Sequence, residues 1–305
     1  MKPKRATHAL LLWAAVLAGP QPAIAQSTPP DLAFGAYQRG YYVTALKQAL
    51  ARLDANPGDA AAMTLIGVLY RDGTGARLNL PEAARWFRLA ADRGDREASF
   101  SLGMMLLQGD GIPEDRAAAL GWLEKAAARD HAGATYNLGI SAMKGGTTPD
   151  FRRAADLFQR AAELGDADAQ YALGLMYREG QGFAVDPARA VQWLARAANL
   201  RHTPAMVEYA IALFNGNGIA KDEAAAIKLF LKAAYANNPV AQNRMARLLA
   251  AGRGSVNKDL VEAMKWHLLA RASGVQDEWL DSLLKTLSPV EQGEVELAVR
   301  NYIGN

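Results

Sequence analysis

Five Gly-x-Gly segments, a column of aspartates, a column of tryptophans and four histidines are the residues whose type and spacing could carry chemistry. The glycine segments are Gly73-x-Gly75, Gly109-x-Gly111, Gly180-x-Gly182, Gly216-x-Gly218 and Gly252-x-Gly254. A phosphate loop follows a strand and opens a helix. These segments instead follow helical patterns, so they read as left-handed helix caps. The aspartates lack the D-x-D-x-D-G spacing of a calcium loop and precede apolar-periodic runs, where N-caps belong. His131 and His202 share a register but lie two repeats apart, on the order of 20 Å at ordinary helix spacing. Zinc ligands must all sit about 2 Å from the metal. The histidines, His267 among them, therefore read as caps or surface residues. Cys is absent, which removes disulfides, thiolate metal sites and cysteine nucleophiles. No G-x-S-x-G, H-E-x-x-H or paired His and nucleophile is present. No metal or cofactor is expected.

The elements that would position these residues come from an internal repeat. Gly67, Gly103, Gly139, Gly174, Ala210 and Ala246 occupy one slot, at steps of 36, 36, 35, 36 and 36 residues. A second marker, Trp86, Trp122, Leu157, Trp193, Leu229 and Trp266, follows 18 to 20 residues later. Three alanine columns keep fixed spacing to these markers; one runs Ala62, Ala98, Ala134, Ala169, Ala205 and Ala241. Small residues at helical spacing let helices approach to about 8 Å rather than 10 Å, and a large neighbour fills the remaining gap. The Trp column is thus expected in the core rather than as a sugar- or base-stacking platform. Each repeat reads as helix A, a tight loop and helix B. Helix A starts after Asp59, Asp95, His131, Asp166, His202 and Asn238; helix B starts near Asn79, Asp115, Asp150, Asp186, Asp222 and Asp259. Pro187 suits a first helical position.

The chain of 305 residues is 50% hydrophobic and 21% charged, enough for a packed core. Lys2, Lys4 and Arg5, an apolar run over 9–18 and Ala23-Ile24-Ala25 before Gln26 match a secretory signal peptide. Residues 1–25 carry three of the 34 basic residues and none of the 31 acidic ones, so the mature chain is formally neutral. Neutrality removes any general pull toward nucleic acid. No other apolar run reaches the ~18 residues of a membrane span, so no span is expected after cleavage. The protein is expected to be exported, to the periplasm in a Gram-negative source.

The run A-x-Y-x-L-G-x-x-Y-x-x-G-x-G followed by D-x-x-x-A-x-x-W-x-x-x-A-A resembles the Sel-1-like repeat family, a branch of the tetratricopeptide-like solenoids. The fourth repeat carries it best, with Ala169, Tyr171, Leu173-Gly174, Tyr177, Gly180, Gly182, Asp186, Ala190, Trp193 and Ala197-Ala198. The implied fold is all-α, a right-handed α-α superhelical solenoid. Residues 26–58 form a tetratricopeptide-like capping repeat, 59–273 six repeats and 274–305 capping helices, since terminal units must cover an apolar face. The resemblance implies a non-catalytic adaptor that binds another protein. Exported relatives suggest regulation of envelope signalling or exopolysaccharide production, with an envelope sensor or a polysaccharide-export component as partner. A cell-envelope hydrolase, acting on peptidoglycan or β-lactams, is the alternative from a different class.

Helix A usually lines the concave face of such a stack. Positions of helix A free of packing give the candidate binding residues Phe100, Tyr136, Asn137, Tyr171, Arg178, Glu208, Phe214, Arg244 and Arg247. Aromatics and Arg are the usual interface anchors. Aromatics three residues before the Gly/Ala marker serve either the groove or the core.

Overall fold

The computed structural model describes residues 31–145 and 150–304; the expected signal peptide, its cleavage site and Gly146 lie outside them. An N-terminal pair, α1 (Leu32–Gln38) and α2 (Tyr42–Ala55), leads into six helix pairs. These are α3 (Ala60–Asp72) with α4 (Leu80–Ala91), and α5 (Arg96–Gln108) with α6 (Arg116–Ala127). Then come α7 (Ala132–Lys144) with α8 (Phe151–Glu163), and α9 (Ala167–Glu179) with α10 (Pro187–Asn199). The last two are α11 (Thr203–Asn215) with α12 (Glu223–Tyr235), and α13 (Pro239–Ala251) with α14 (Leu260–Ala272). The stack closes with α15 (Glu278–Leu284) and α16 (Pro289–Ile303). Among the described residues there is no strand. From α1 to α14 each helix packs on the next along the chain, and α16 packs back on α14, so the molecule is an all-α solenoid.

The cap columns set the helix boundaries. All twelve expected N-cap side chains accept the backbone N–H three residues on, from Asp59 with Ala62 to Asp259 with Glu262. Each such cap is worth about 1 kcal/mol. Helix A ends on left-handed Gly73, Gly109, Gly180, Gly216 and Gly252. The second glycine of the segment does more than continue the cap. A Cβ on Gly218 (φ +74°) would lie 2.3 Å from the Pro187 carbonyl oxygen on the preceding helix B. Backbone thus meets backbone between repeats, and only glycine permits it.

The core is deepest one residue past the Trp/Leu column. Phe87, Leu123, Phe158, Leu194, Phe230 and His267 are each at most 3% exposed. They fill the notch left by the Gly/Ala marker: a Cβ on Gly139 would meet the Phe158 ring at 2.6 Å. The Trp/Leu column itself is shallower than expected. Trp122 and Trp266 are buried, but Trp86, Leu157, Trp193 and Leu229 are half-buried at the core margin. The slot against the Gly/Ala notch is taken by the residue one further on, which leaves this column beside it; Arg196 lies over the half-buried Trp193 ring at 4.5 Å.

His267 corrects the reading of the histidines as caps or surface residues. It is fully buried, and its Nε2 lies 2.9 Å from Asp281 Oδ1. The sixth repeat is followed by the short α15 rather than a seventh repeat. An imidazole in the deep column replaces the usual Phe or Leu and hydrogen-bonds that cap helix. His131 and His202 are N-caps, as expected.

Candidate functional site

The six helix A elements share one face, and the structure places every expected binding residue relative to it. Phe100 and Tyr171 are half-buried under the cap histidine of the next repeat: Phe100 stacks on His131 at 4.3 Å and Tyr171 tilts on His202 at 4.8 Å. The same histidines reach back to helix A of the preceding repeat, with Nε2 at 3.1 Å from Glu97 and from Asp168. Nδ1 of each accepts a backbone N–H, so Nε2 is the donor to the carboxylate. The bond from His131 holds Glu97 below the usual carboxylate range. These aromatics are inter-repeat joints. Tyr136 packs on Phe158 at 5.4 Å, and burial, with the charges of Asp168 and Asp166, raises its phenol pKa. Asn137 donates to the Gly133 carbonyl of its own helix at 2.7 Å.

Arg178 and Glu208 come together as one ion pair at 2.6 Å, and Arg178 also binds Glu179 at 2.8 Å. The middle of the face is therefore charge-compensated. Phe214, Arg244 and Arg247 also come together, around a cavity of about 510 Å³ at the C-terminal end of the face. Its wall is completed by Ile211, Asn215, Phe230, Leu248, Ala251, Arg253 and Trp279.

Local structure fixes each polar member of this cavity. Arg244 and Arg247 sit three apart on α13, hence on one helical face. Arg247 donates to both carboxylate oxygens of Asp277, Nε at 2.5 Å and Nη2 at 2.9 Å, and lies over the Trp279 ring at 5.6 Å. Asp277 caps α15 and also accepts from Asn243 at 2.8 Å. Burial of Asp277 opposes its ionisation, but the bonds from Arg247, Asn243 and the Leu280 amide win and hold its pKa at about 2. Arg253 stands between left-handed Gly252 and Gly254 and lies over Phe214 at 5.2 Å. The lining carries no carboxylate, hydroxyl or imidazole, so it offers neither nucleophile nor general base. Among the described residues, no group of three or more His, Asp or Glu is placed to hold a metal ion, and no helix is long and apolar enough to cross a membrane.

Sequence reasoning missed Arg253 and Trp279. The signal for Arg253 was present: the middle residue of the Gly-x-Gly segments runs Thr74, Asp110, Gln181, Asn217 and Arg253, and only the last is a cation. Trp279 lies beyond the periodic region, where no column exists to flag it.

The Sel1 repeat pattern matches this chain six times in succession, over residues 60–95, 96–131, 132–166, 167–202, 203–238 and 239–275. The chain belongs to the Sel1 repeat family. It is similar to the Sel1 repeat protein from Oxalobacter formigenes, at 29% identity and a TM-score of 0.68, covering 81% of this chain and 100% of that one. It shares the fold of c5321, a protective antigen present in uropathogenic Escherichia coli strains. The TM-score there is 0.69 at 24% identity, over 89% of this chain and 61% of that one. Among curated proteins none matches the sequence significantly. The sixth Sel1 repeat ends at residue 275, so Asp277 and Trp279 lie just past the array. The cavity thus spans the last two Sel1 repeats and the start of the cap, with Trp279 of α15 as the cap's contribution.

Proposed function

We propose that this Sel1 repeat protein is an exported, non-catalytic adaptor that binds another protein along its helix A face. Its setting is the cell envelope, in regulation of envelope signalling or exopolysaccharide production, and its partner is an envelope sensor or a polysaccharide-export component. The observation that carries the reading is the cavity at the C-terminal end of that face. It joins two partly exposed aromatics to three arginines, the residue types that anchor interfaces, and it lacks acid–base machinery. The signal-peptide pattern supports export, and the Sel1 repeat fold supports protein binding.

Two measurements test this. The exported protein should begin at Gln26 by N-terminal sequencing of a periplasmic fraction; an uncleaved cytoplasmic form would refute export. A photo-crosslinking residue at Phe214 should trap a protein in the envelope, whereas one at Gln192, an exposed helix B position, should not. Trapping only from Gln192 would move the binding face to the helix B side. No adduct from any exposed position would end the adaptor reading.

A further inference from the structure

Charge bookkeeping separates the C-terminal cavity from the rest of the helix A face. Elsewhere on helix A, Arg71 pairs with Asp72 at 2.8 Å and Arg178 with Glu179 and Glu208, while Arg96 donates to the Arg129 carbonyl at 3.2 Å. In the cavity only Arg247 has an acidic partner, the buried Asp277. Arg244 and Arg253 are exposed and, among the described residues, neither forms an ion pair. Three guanidinium groups thus stand against one carboxylate, which leaves a surplus of positive charge around one opening. Arg247 also keeps its Nη1 free, because Nε and Nη2 are spent on Asp277.

The floor of the opening is apolar. Ile211, Phe230, Leu248 and Ala251 line it, and Trp279, 45% exposed, stands at one wall. A volume of about 510 Å³ falls within the ~300–1,000 Å³ typical of pockets that take a specific ligand. A purely electrostatic site needs no such floor, and a purely apolar one needs no surplus of arginine.

We infer that this cavity docks a short acidic peptide segment of the partner protein, with one bulky apolar side chain seated on Trp279 and flanking carboxylates paired to Arg244 and Arg253. The inference rests on the adaptor reading and names the chemistry of its partner. Guanidinium groups take carboxylates bidentately, and the apolar side chain gains from covering the half-exposed indole. An acidic polysaccharide supplies the charge but no side chain for the apolar floor, so a peptide is the better fit.

A random peptide display library, selected on the exported form of the chain, tests this directly. Enriched peptides should combine Asp or Glu with Leu, Phe or Trp. Synthetic versions, acetylated and amidated so that terminal charges do not contribute, should lose at least tenfold in affinity against Arg244→Glu with Arg253→Glu, and again against Trp279→Ala. Both arginines are exposed, so the charge-reversed variant should melt like the wild type, and circular dichroism checks that. Raising salt should weaken binding. Enrichment of basic or neutral peptides, no enrichment, or affinity indifferent to the charge reversal would overturn the inference. So would polygalacturonate binding at the same residues while no acidic peptide does. Envelope crosslinks from Phe214 alongside any of those results would show the adaptor reading intact and only this ligand wrong.

Discussion

Replacing Asp277 should release the cap helix that forms one wall of the cavity. Its carboxylate is buried, accepts from Arg247 and Asn243, and caps α15 through the Leu280 amide. A pKa lowered from 3.8 to about 2 means that folding favours the charged form, by about 2 kcal/mol at neutral pH on simple linkage. The Arg247 side chain is 49% exposed, so solvent screening trims that to about 1–2 kcal/mol. Loss of the cap adds about 1 kcal/mol. Asp277→Ala should therefore cost about 2–3 kcal/mol, and Asp277→Asn, which keeps an acceptor oxygen, about 1–2 kcal/mol. The loss should be local: amide exchange should quicken across 278–284, and Trp279 should become more accessible to acrylamide.

The pH dependence follows from the same shift. A lowered folded-state pKa makes the contribution fully present above the unfolded value of 3.8 and lost as the pH falls through about 2. The gap between wild type and Asp277→Asn in urea melts should be constant from pH 7 to about 5 and narrow toward pH 2. A gap that stays open at pH 2, or unchanged exchange in α15 for Asp277→Ala, would refute the tether.

Two further substitutions probe the frame. Phe158→Ala should cost about 3–5 kcal/mol and Trp193→Ala about 1–2 kcal/mol, because the deep column is Phe158's and Trp193 is half-buried. A larger loss at Trp193 in urea melts would invert the core assignment. Gly218→Ala should destabilise by more than about 2 kcal/mol, since the added carbon would meet the Pro187 carbonyl at 2.3 Å and the φ of +74° suits only glycine. A melting temperature within a degree or so of wild type would show that adjacent repeats slide apart freely.

The frame was legible because each repeat states it again. Six copies of a cap column and a Gly/Ala notch, with five of a glycine loop, leave little freedom in helix boundaries, and the helices begin where the caps stand. Depth was harder to read. Trp86 and Phe87 are adjacent large residues, and only the position of the Gly67 notch, a Cβ on which would meet the Phe87 ring at 2.7 Å, decides which one is central. The second loop glycines Gly75, Gly111, Gly182 and Gly218 looked like part of a cap because their reason lies in the backbone of the preceding helix pair. Surface chemistry was least legible. Helical register places Tyr171 and Arg178 on a face, but it does not show that His202 covers one and Glu208 neutralises the other.

That difference bears on where function sits in an array of this kind. Whatever recurs in every repeat is explained by stacking, since each unit must cap its helices and fill the notch of its neighbour. Residues that break the period have no such explanation. Apart from the shorter third repeat, several breaks gather at one end: Arg253 where other loops carry neutral or acidic residues, His267 where other repeats carry Phe or Leu, and Asp277 and Trp279 on a helix outside the array. His267 and Asp277 hold the cap helix on, through Asp281 and Arg247. With that helix fixed, Trp279 becomes a wall facing Arg253 and Phe214 across one cavity. The structural breaks build the site, and Arg244 and Arg253, without ion pairs among the described residues, give it a sign. Stacking and capping alone have no use for these two arginines, which is why the C-terminal end rather than the middle of the face is where a partner should be sought.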